Sequence, residues 1–349
     1  MTSRIILYAP SVHTGGGLEL LKELLAAWPI AETLVAFLDS RARNEMQFPA
    51  NIQIVWITAS VISRANGELE LRRMATKEMT VICFHGLPPL MSSPARILVF
   101  QQNRNYLGLN ALSTFAMKTR LRLLLERFVS KYFRSGVAEY FVQTPTMQKA
   151  VEHWYKAAGG GAASIRVFPF AAPKYEFSYP DGTGKKWDFV YVSDGEAHKN
   201  HRNLFEAWRL LAQQGLRPSL VLTLSLRDTD LKQDLKRAMG RDNLDITDLG
   251  KLSHAEVIKT YARSRALIFP STSESFGLPL VEASQLGLPI VASEMDYVRD
   301  VCVPAQTFDP GSPVSIARAV KRFLGCPEPP VVLRTAEDFW AEVRNIRIT

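Results

Sequence analysis

Cysteine is scarce: Cys83, Cys302 and Cys326 are the three in 349 residues, widely separated and without a C-x-x-C pair. That excludes a disulfide framework or a cysteine zinc site, and it suits a reducing, cytoplasmic compartment. No apolar run reaches the about 18 residues that a membrane span needs. The apolar residues 5–10 lead into a polar glycine loop rather than a small-residue cleavage site, so they read as part of the fold. No HExxH, EF-hand loop, G-x-S-x-G or Walker motif occurs, and no solenoid period or low-complexity tract is visible. Acidic residues are thin in the first half: residues 1–172 hold one Asp and 10 Glu against 19 Lys and Arg, whereas 173–349 hold 23 residues of each sign. The whole net charge of +8 therefore lies in the first half.

What is present suffices for two ordinary domains. A chain of 349 residues with 47% hydrophobic and 22% charged residues exceeds one domain of about 100–200 residues and can fill two cores. A pI near 9.4 raises nucleic acid or an anionic membrane as partner. Nucleic acid is the weaker choice, because no recognition motif accompanies the charge and the second half is neutral. Short β-branched apolar runs alternate with amphipathic stretches at 5–9, 33–38, 52–57, 80–84, 97–101, 139–143 and 165–168, and again at 188–192, 220–224, 246–249, 266–269 and 289–292. This is the pattern of parallel strands joined by crossover helices. The non-periodic AAPKYEFSYPDGTGKK separates the two series. It divides the chain into a domain at 1–172, a linker at 173–187, a second domain at 188–328 and a helical C-terminal segment at 329–349 that returns to the first domain. The expected fold class is α/β: two Rossmann-like, doubly wound parallel-sheet domains facing a central cleft, with ligands at the carboxyl ends of the strands.

The most informative segment is IFPSTSESFGLPLVEASQLGLPIVAS, residues 268–293. A buried strand ends at Pro270, Gly277 permits close backbone approach, and Pro279 suits the first turn of a helix, so the amides of Phe276, Gly277 and Leu278 form an anion site. Alone, Glu274 reads as a helix-capping acid and Glu282 as a solvated helix position. Together, beside an anion site, two carboxylates suit hydroxyl groups on either side of a diphosphate. In SDGEAHKNHRNLFEAW, residues 193–208, Lys199 opens a helix with Arg202 three residues on. HTGGG follows the first strand without matching G-x-G-x-x-G; Gly16 and Gly17 are candidates for close backbone approach. His85 directly follows a buried strand, where a lone histidine is more often structural than functional. Asn103 and Arg104, in the polar run QQNRNY after the next strand, are candidates for an acceptor pocket. Asp228 in DTD is expected to cap the amphipathic stretch that follows rather than hold a metal.

Residues 114–136 read as a long amphipathic helix on which Arg120, Arg127, Lys131 and Arg134 form one stripe beside an apolar arc of Met117, Leu121, Leu124, Leu125, Phe128 and Tyr132. Either the arc faces the core and the stripe is solvated, or the helix is a surface held against anionic lipid head groups.

The segment 268–293 resembles the E-x7-E signature of retaining glycosyltransferases of family 4, which have the GT-B fold. The resemblance extends through LGKLSHAEVIKTYARSRALIFPS before it and MDYVRDVCVPAQTFDPGSP after it, covering residues 188–324 well and the first half more loosely. It implies that Glu274 contacts the donor sugar near the reacting centre, that Glu282 holds the ribose, and that Phe276, Gly277 and Leu278 present backbone to the diphosphate. Leu249 and Gly250 are implied to meet the base, Gly16 and Gly17 to approach donor or acceptor across the cleft, and His85 to contact the donor sugar. Lys199 matches a diphosphate-binding lysine. Relatives usually carry a Gly-Arg pair six or seven residues earlier, where this chain has Val192 and Ser193; either Arg202 substitutes, or diphosphate binding relies more on Lys199 and the helix terminus, or the enzyme is weakened, in that order of expectation. The implied function is retaining transfer of a sugar from a UDP- or GDP-linked donor to a glycan or lipid-linked glycan in surface polysaccharide synthesis. No metal and no cofactor are implied, and the place of work is the cytoplasm or the cytoplasmic face of the membrane. A catalytically inactive nucleotide-sugar-binding subunit is the alternative, and a basic nucleic-acid-binding protein a more distant one.

Overall fold

The computed structural model describes residues 5–108, 117–171 and 184–329. Residues 173–183 of the expected linker and nearly all of the C-terminal segment lie outside them, while Trp187, at the end of the expected linker, is the first residue of a strand. The first domain contains a seven-stranded sheet: β1 (Ile5–Ala9), β2 (Leu34–Asp39), β3 (Ile52–Ile57), β4 (Thr80–Cys83), β5 (Arg96–Phe100), β6 (Glu139–Val142) and β7 (Ile165–Val167). The order is β3-β2-β1-β4-β5-β6-β7 and each neighbouring pair is parallel. The second domain has six strands, β8 (Trp187–Tyr191), β9 (Leu220–Leu222), β10 (Ile246–Asp248), β11 (Ser264–Phe269), β12 (Ile290–Ser293) and β13 (Gln306–Phe308). They are also parallel, in the order β10-β9-β8-β11-β12-β13.

Alternation along β1 explains the layering. Ile6 and Tyr8 join one core cluster and Leu7 and Ala9 another, so both faces of the first sheet are covered. Helix α1 (Gly15–Ala26) places Leu18, Leu20, Leu21 and Leu25 in the second of these clusters. In the second domain one continuous core surrounds β8 and β11, with Trp208, Tyr261 and Tyr297 among its largest buried side chains.

One helix lies the other way round from a core-facing reading. In α3 (Met117–Phe133) the buried residues include Leu123 and Ser130, whereas Met117, Leu121, Leu124, Leu125, Phe128 and Tyr132 are between 52% and 76% exposed. The basic stripe is divided: Lys131 is exposed, whereas Arg127 Nε donates to the Asn105 carbonyl at 2.8 Å, and Arg134, in the 3-10 turn just after α3, donates from Nη2 to the Ala158 carbonyl at 2.6 Å while its guanidinium lies over the Tyr155 ring. Arginine stems cover apolar surface and their heads satisfy loop carbonyls, so these two arginines can face the protein.

Candidate active site

Strand order reverses between β1 and β4 in one sheet and between β8 and β11 in the other. The crevice beyond such a switch point is where open parallel sheets bind ligands, and the candidate residues follow these four strands or their neighbours. After β8, residues 197–199 form a 3-10 turn, Asn200 takes a left-handed conformation with φ of 62°, and α5 (His201–Gln213) begins. The turn is stitched to the loop after β11: the Thr272 amide donates to the His198 carbonyl at 2.8 Å, and Asn200 Nδ2 donates to the Pro270 and Pro310 carbonyls. Tyr191 Oη donates to the Lys199 carbonyl at 2.8 Å. With both loops fixed, Lys199 Nζ donates to Glu274 Oε1 at 2.8 Å, and the Ser271 hydroxyl donates to the same oxygen at 2.7 Å. The Lys199 and Glu274 side chains are only 17% and 11% exposed. Burial works against the Lys199 charge, but Glu274, Asp194 and Glu196 outweigh it and hold the ammonium above the ordinary lysine range.

Glu274 leads into α8 (Leu278–Gln285), whose N-cap is Gly277 at φ of 75°. A Cβ there would meet Leu280 Cδ1 at 3.0 Å as well as the left-handed backbone, so glycine is needed. Phe276 is buried beneath this turn. In the first turn of α8, Pro279 carries no amide proton and the Leu280 amide donates to the Gly277 carbonyl at 2.8 Å, so the amides of Gly277 and Leu278 are those that this turn can offer an anion. One turn in, Glu282 is buried, with His254 Nε2 at 3.1 Å from Oε1 and Tyr261 Oη donating to Oε2 at 3.2 Å. The hydrogen bond to Glu282, stronger here than the opposing burial, raises the His254 pKa.

The first domain closes over this site. A Cβ on Gly16 would lie 3.5 Å from Leu278 Cδ2, and one on Gly17 would lie 3.3 Å from Gln102 Oε1. The start of α1 therefore sits against the start of α8. A narrow crevice between them is lined by Glu19, Leu20, Glu23, Ala171, His254, Leu278, Glu282 and Gln285. His85 follows β4, its Nδ1 at 3.4 Å from the Tyr8 carbonyl, and burial pushes its pKa down to about 4. The Asn103 side chain accepts from the Asn105 amide and so caps a 3-10 turn, Arg104–Leu107. Arg104 Nη1 reaches across the cleft to the Glu274 carbonyl at 3.2 Å.

Other expected residues stand apart from Glu274. Because Lys199 belongs to the 3-10 turn and α5 starts at His201, the expected shared helical face with Arg202 does not form. Arg202 instead pairs with Asp234 at 3.1 Å and is 75% exposed. Ser193 shares a 3.1 Å hydrogen bond with His201 Nε2. Leu249 and Gly250 directly follow β10, the Gly250 amide donating to Asp248 Oδ1 at 3.0 Å. Asp228 is the N-cap residue of α6 (Thr229–Asp242), as its position suggests, but its side chain accepts from the Ser225 amide rather than from the helix. Ser271, His254, Tyr261 and the link from Arg104 to Glu274 are not among the features that the sequence points to. Ser271, two residues after β11, offers a usable signal; the others depend on contacts distant in sequence.

Residues 180–337 match the model of the family described as glycosyl transferases group 1. Among curated proteins, the serotype-specific mannosyltransferase WbdA of Escherichia coli is 31% identical over 138 residues, which is 39% of this chain and 17% of WbdA. The O-antigen chain mannosyltransferase B of Escherichia coli is 28% identical over 162 residues, 45% of this chain and 39% of that protein. The chain thus spans well under half the length of the curated relatives it matches. Among solved structures, the sucrose-phosphate synthase of Thermosynechococcus elongatus superposes with a TM-score of 0.71 at 16% identity, covering 93% of this chain and 90% of that one. HepE of Anabaena, in complex with UDP and glucose, gives a TM-score of 0.67 at 16% identity over the same shares. Both domains superpose on these folds, and the segment with Lys199, Glu274 and Glu282 lies inside the region that matches the glycosyl transferases group 1 model: the chain as a whole has the GT-B fold.

Proposed function

We propose that the protein is a retaining glycosyltransferase that moves a sugar from a nucleotide-diphosphate donor to a hydroxyl of a glycan or lipid-linked glycan in surface polysaccharide synthesis. The observation that carries this reading is the Lys199–Glu274 pair, fixed at the β8/β11 switch point before the N-terminus of α8. Lys199 and the α8 amides supply positive potential for a departing diphosphate, the group on which charge develops. Glu274 orients the donor sugar and Glu282 the ribose; His85, neutral under its burial, lies at the end of β4 to contact the sugar from the other side. The departing phosphate accepts the acceptor's proton, so neither a strong general base nor a metal ion is required of the protein. The names of the matched relatives favour a mannosyl group and O-antigen-like acceptors. Incubating the protein with GDP-mannose, UDP-glucose and UDP-galactose and a lipid-linked glycan tests this directly. The expected result is release of nucleoside diphosphate together with a glycan product that keeps the donor's anomeric configuration. Nucleotide binding without any release would support an inactive binding subunit instead.

The same reading places the work at a membrane surface on the cytoplasmic side. No helix among the described residues is long and apolar enough to cross a membrane. The exposed apolar face of α3, with Arg122 and Lys131 also exposed, has the make-up of a helix that lies in the head-group region.

A further inference from the structure

We infer that Arg104 is the second cation of the donor site, crossing the cleft to stabilise the departing diphosphate together with Lys199. This rests on the glycosyltransferase reading and assigns Arg104 to the donor rather than to an acceptor pocket. The first step is charge. A departing nucleoside diphosphate carries several negative charges, whereas Lys199 is tied to Glu274 at 2.8 Å, which leaves that pair close to neutral. Arg202 is bound to Asp234 and largely exposed. His198 and His201, the other basic side chains of the turn, are both shifted toward the neutral form by burial. The second domain therefore supplies little uncompensated positive charge where the diphosphate would leave.

Arg104 supplies what is missing. It stands on a turn held from several sides: Asn103 caps it, Gln101 Nε2 donates to the Asn103 carbonyl at 2.9 Å, and Arg127 of α3 donates to the Asn105 carbonyl. Its Nη1 meets a neutral carbonyl, that of Glu274, while its Nε is buried with no hydrogen-bond partner among the described residues. A guanidinium does not discharge at any working pH, so a partly buried one without a carboxylate bonded to it is poised for an anion. The cationic heads of Lys199 and Arg104 are both anchored on the same residue, Glu274, one from each domain. In the reaction the bond from the sugar's anomeric carbon to the phosphate oxygen breaks and its electron pair stays on that oxygen. The acceptor oxygen bonds to the same carbon and its proton passes to the phosphate oxygen. Arg104 and Lys199 stabilise the charge before that proton arrives. Because Arg104 belongs to the opposite domain, the cation pair is complete only with the cleft closed.

The test is Arg104→Gln, with Arg104→Lys as the conservative variant, measured by calorimetric binding of UDP, GDP, uridine and guanosine and by donor turnover. A charge-assisted bond of the usual strength predicts that Arg104→Gln binds the diphosphate recognised by the wild type about tenfold or more weakly. Binding of the matching nucleoside is expected to stay within twofold, and kcat to fall with the acceptor KM unchanged. Arg104→Lys should recover part of the diphosphate affinity. Unchanged diphosphate binding together with a raised acceptor KM would overturn the inference while leaving the glycosyltransferase reading intact. Failure of the wild type to bind either diphosphate overturns both. If Arg104→Gln does not fold, as judged by its melting curve, Arg104→Lys decides: wild-type diphosphate affinity and wild-type turnover in that variant count against the inference.

Discussion

Glu274 Oε1 accepts from both Lys199 and Ser271, so this carboxylate is held by hydrogen bonds before any ligand arrives. Glu274→Gln keeps an acceptor oxygen for both donors but leaves the nearly buried Lys199 ammonium without its counter-charge, so it should cost stability as well as the orienting charge beside the donor sugar. Lys199→Ala removes a cation from the leaving group, and kcat should fall about 10²- to 10³-fold, the usual cost of one transition-state electrostatic contact. It also leaves a nearly buried carboxylate without its cation, which costs stability as well. Retention of full transfer by both variants, measured as nucleoside diphosphate release, would remove the pair from the mechanism. The His254–Glu282 contact makes a separate prediction about pH. In the folded protein the His254 pKa lies above its ordinary value because of the bond to Glu282, with burial and Lys22 opposing and Glu19 assisting. A raised folded pKa means that the contact stabilises fully below the unfolded pKa of about 6.5 and that the contribution fades as pH rises through the folded value. Its size should be that of a partly exposed pair, about 0.2–1 kcal/mol. Denaturant midpoints of wild type and His254→Gln across pH 5–9 should therefore converge at the alkaline end; a difference that grows with pH counts against the assignment.

At the level of elements, hydrophobic periodicity carried most of the fold. Twelve of the strands appear where apolar runs alternate with amphipathic stretches, because a strand buried on both faces is apolar nearly throughout, as β2 is up to its last residue, Asp39. Strand β13 escapes that signal: Gln-Thr-Phe offers one large apolar residue at a sheet edge, and pairing with β12 supplies the rest. Helix α3 shows the other limit. Periodicity divides a helix into faces but does not say which one meets the protein. Here Leu123, Arg127, Ser130 and Arg134 turn inward because carbonyls at Asn105 and Ala158 accept the guanidinium protons. The outward face, with Phe128 and Tyr132 stacked 5.6 Å apart, is apolar and exposed. Replacing Leu121 and Phe128 together by Asp should leave the melting temperature nearly unchanged, since neither side chain is buried. Flotation with vesicles containing phosphatidylglycerol at low salt should nevertheless fall several-fold relative to wild type. Equal flotation of the two proteins, or none for either, would mean that this face meets something other than lipid.

At the level of the whole molecule, the two domains meet through bonds that join residues more than 130 positions apart, beyond the reach of any local pattern. Lys199, Glu274, Gly277 and Glu282 were legible because each sits in a short segment whose spacing constrains it. What was not legible is that Arg104 and Thr144, at the ends of β5 and β6, clasp the loop before α8: Arg104 at the Glu274 carbonyl and Thr144 Oγ1 at the Ser275 carbonyl, 3.4 Å away. A third bond lies outside the site. The Thr146 amide donates to Asp300 Oδ2 at 2.9 Å, so an acid of the second domain caps the first turn of α4 (Pro145–Ala157) in the first. An aspartate there satisfies a free amide and complements the helix dipole, together worth about 1 kcal/mol. That amount is small for folding but sizeable for the balance between open and closed clefts. Asp300→Ala touches none of the residues assigned to donor binding, yet it should favour the open state. A cleft that closes less completely admits water, which competes with the acceptor for the anomeric carbon. Free sugar released from the donor without acceptor should rise several-fold relative to transfer, and the radius of gyration in solution scattering should increase. An unchanged ratio with an unchanged radius would show that the Thr146–Asp300 bond does not govern closure.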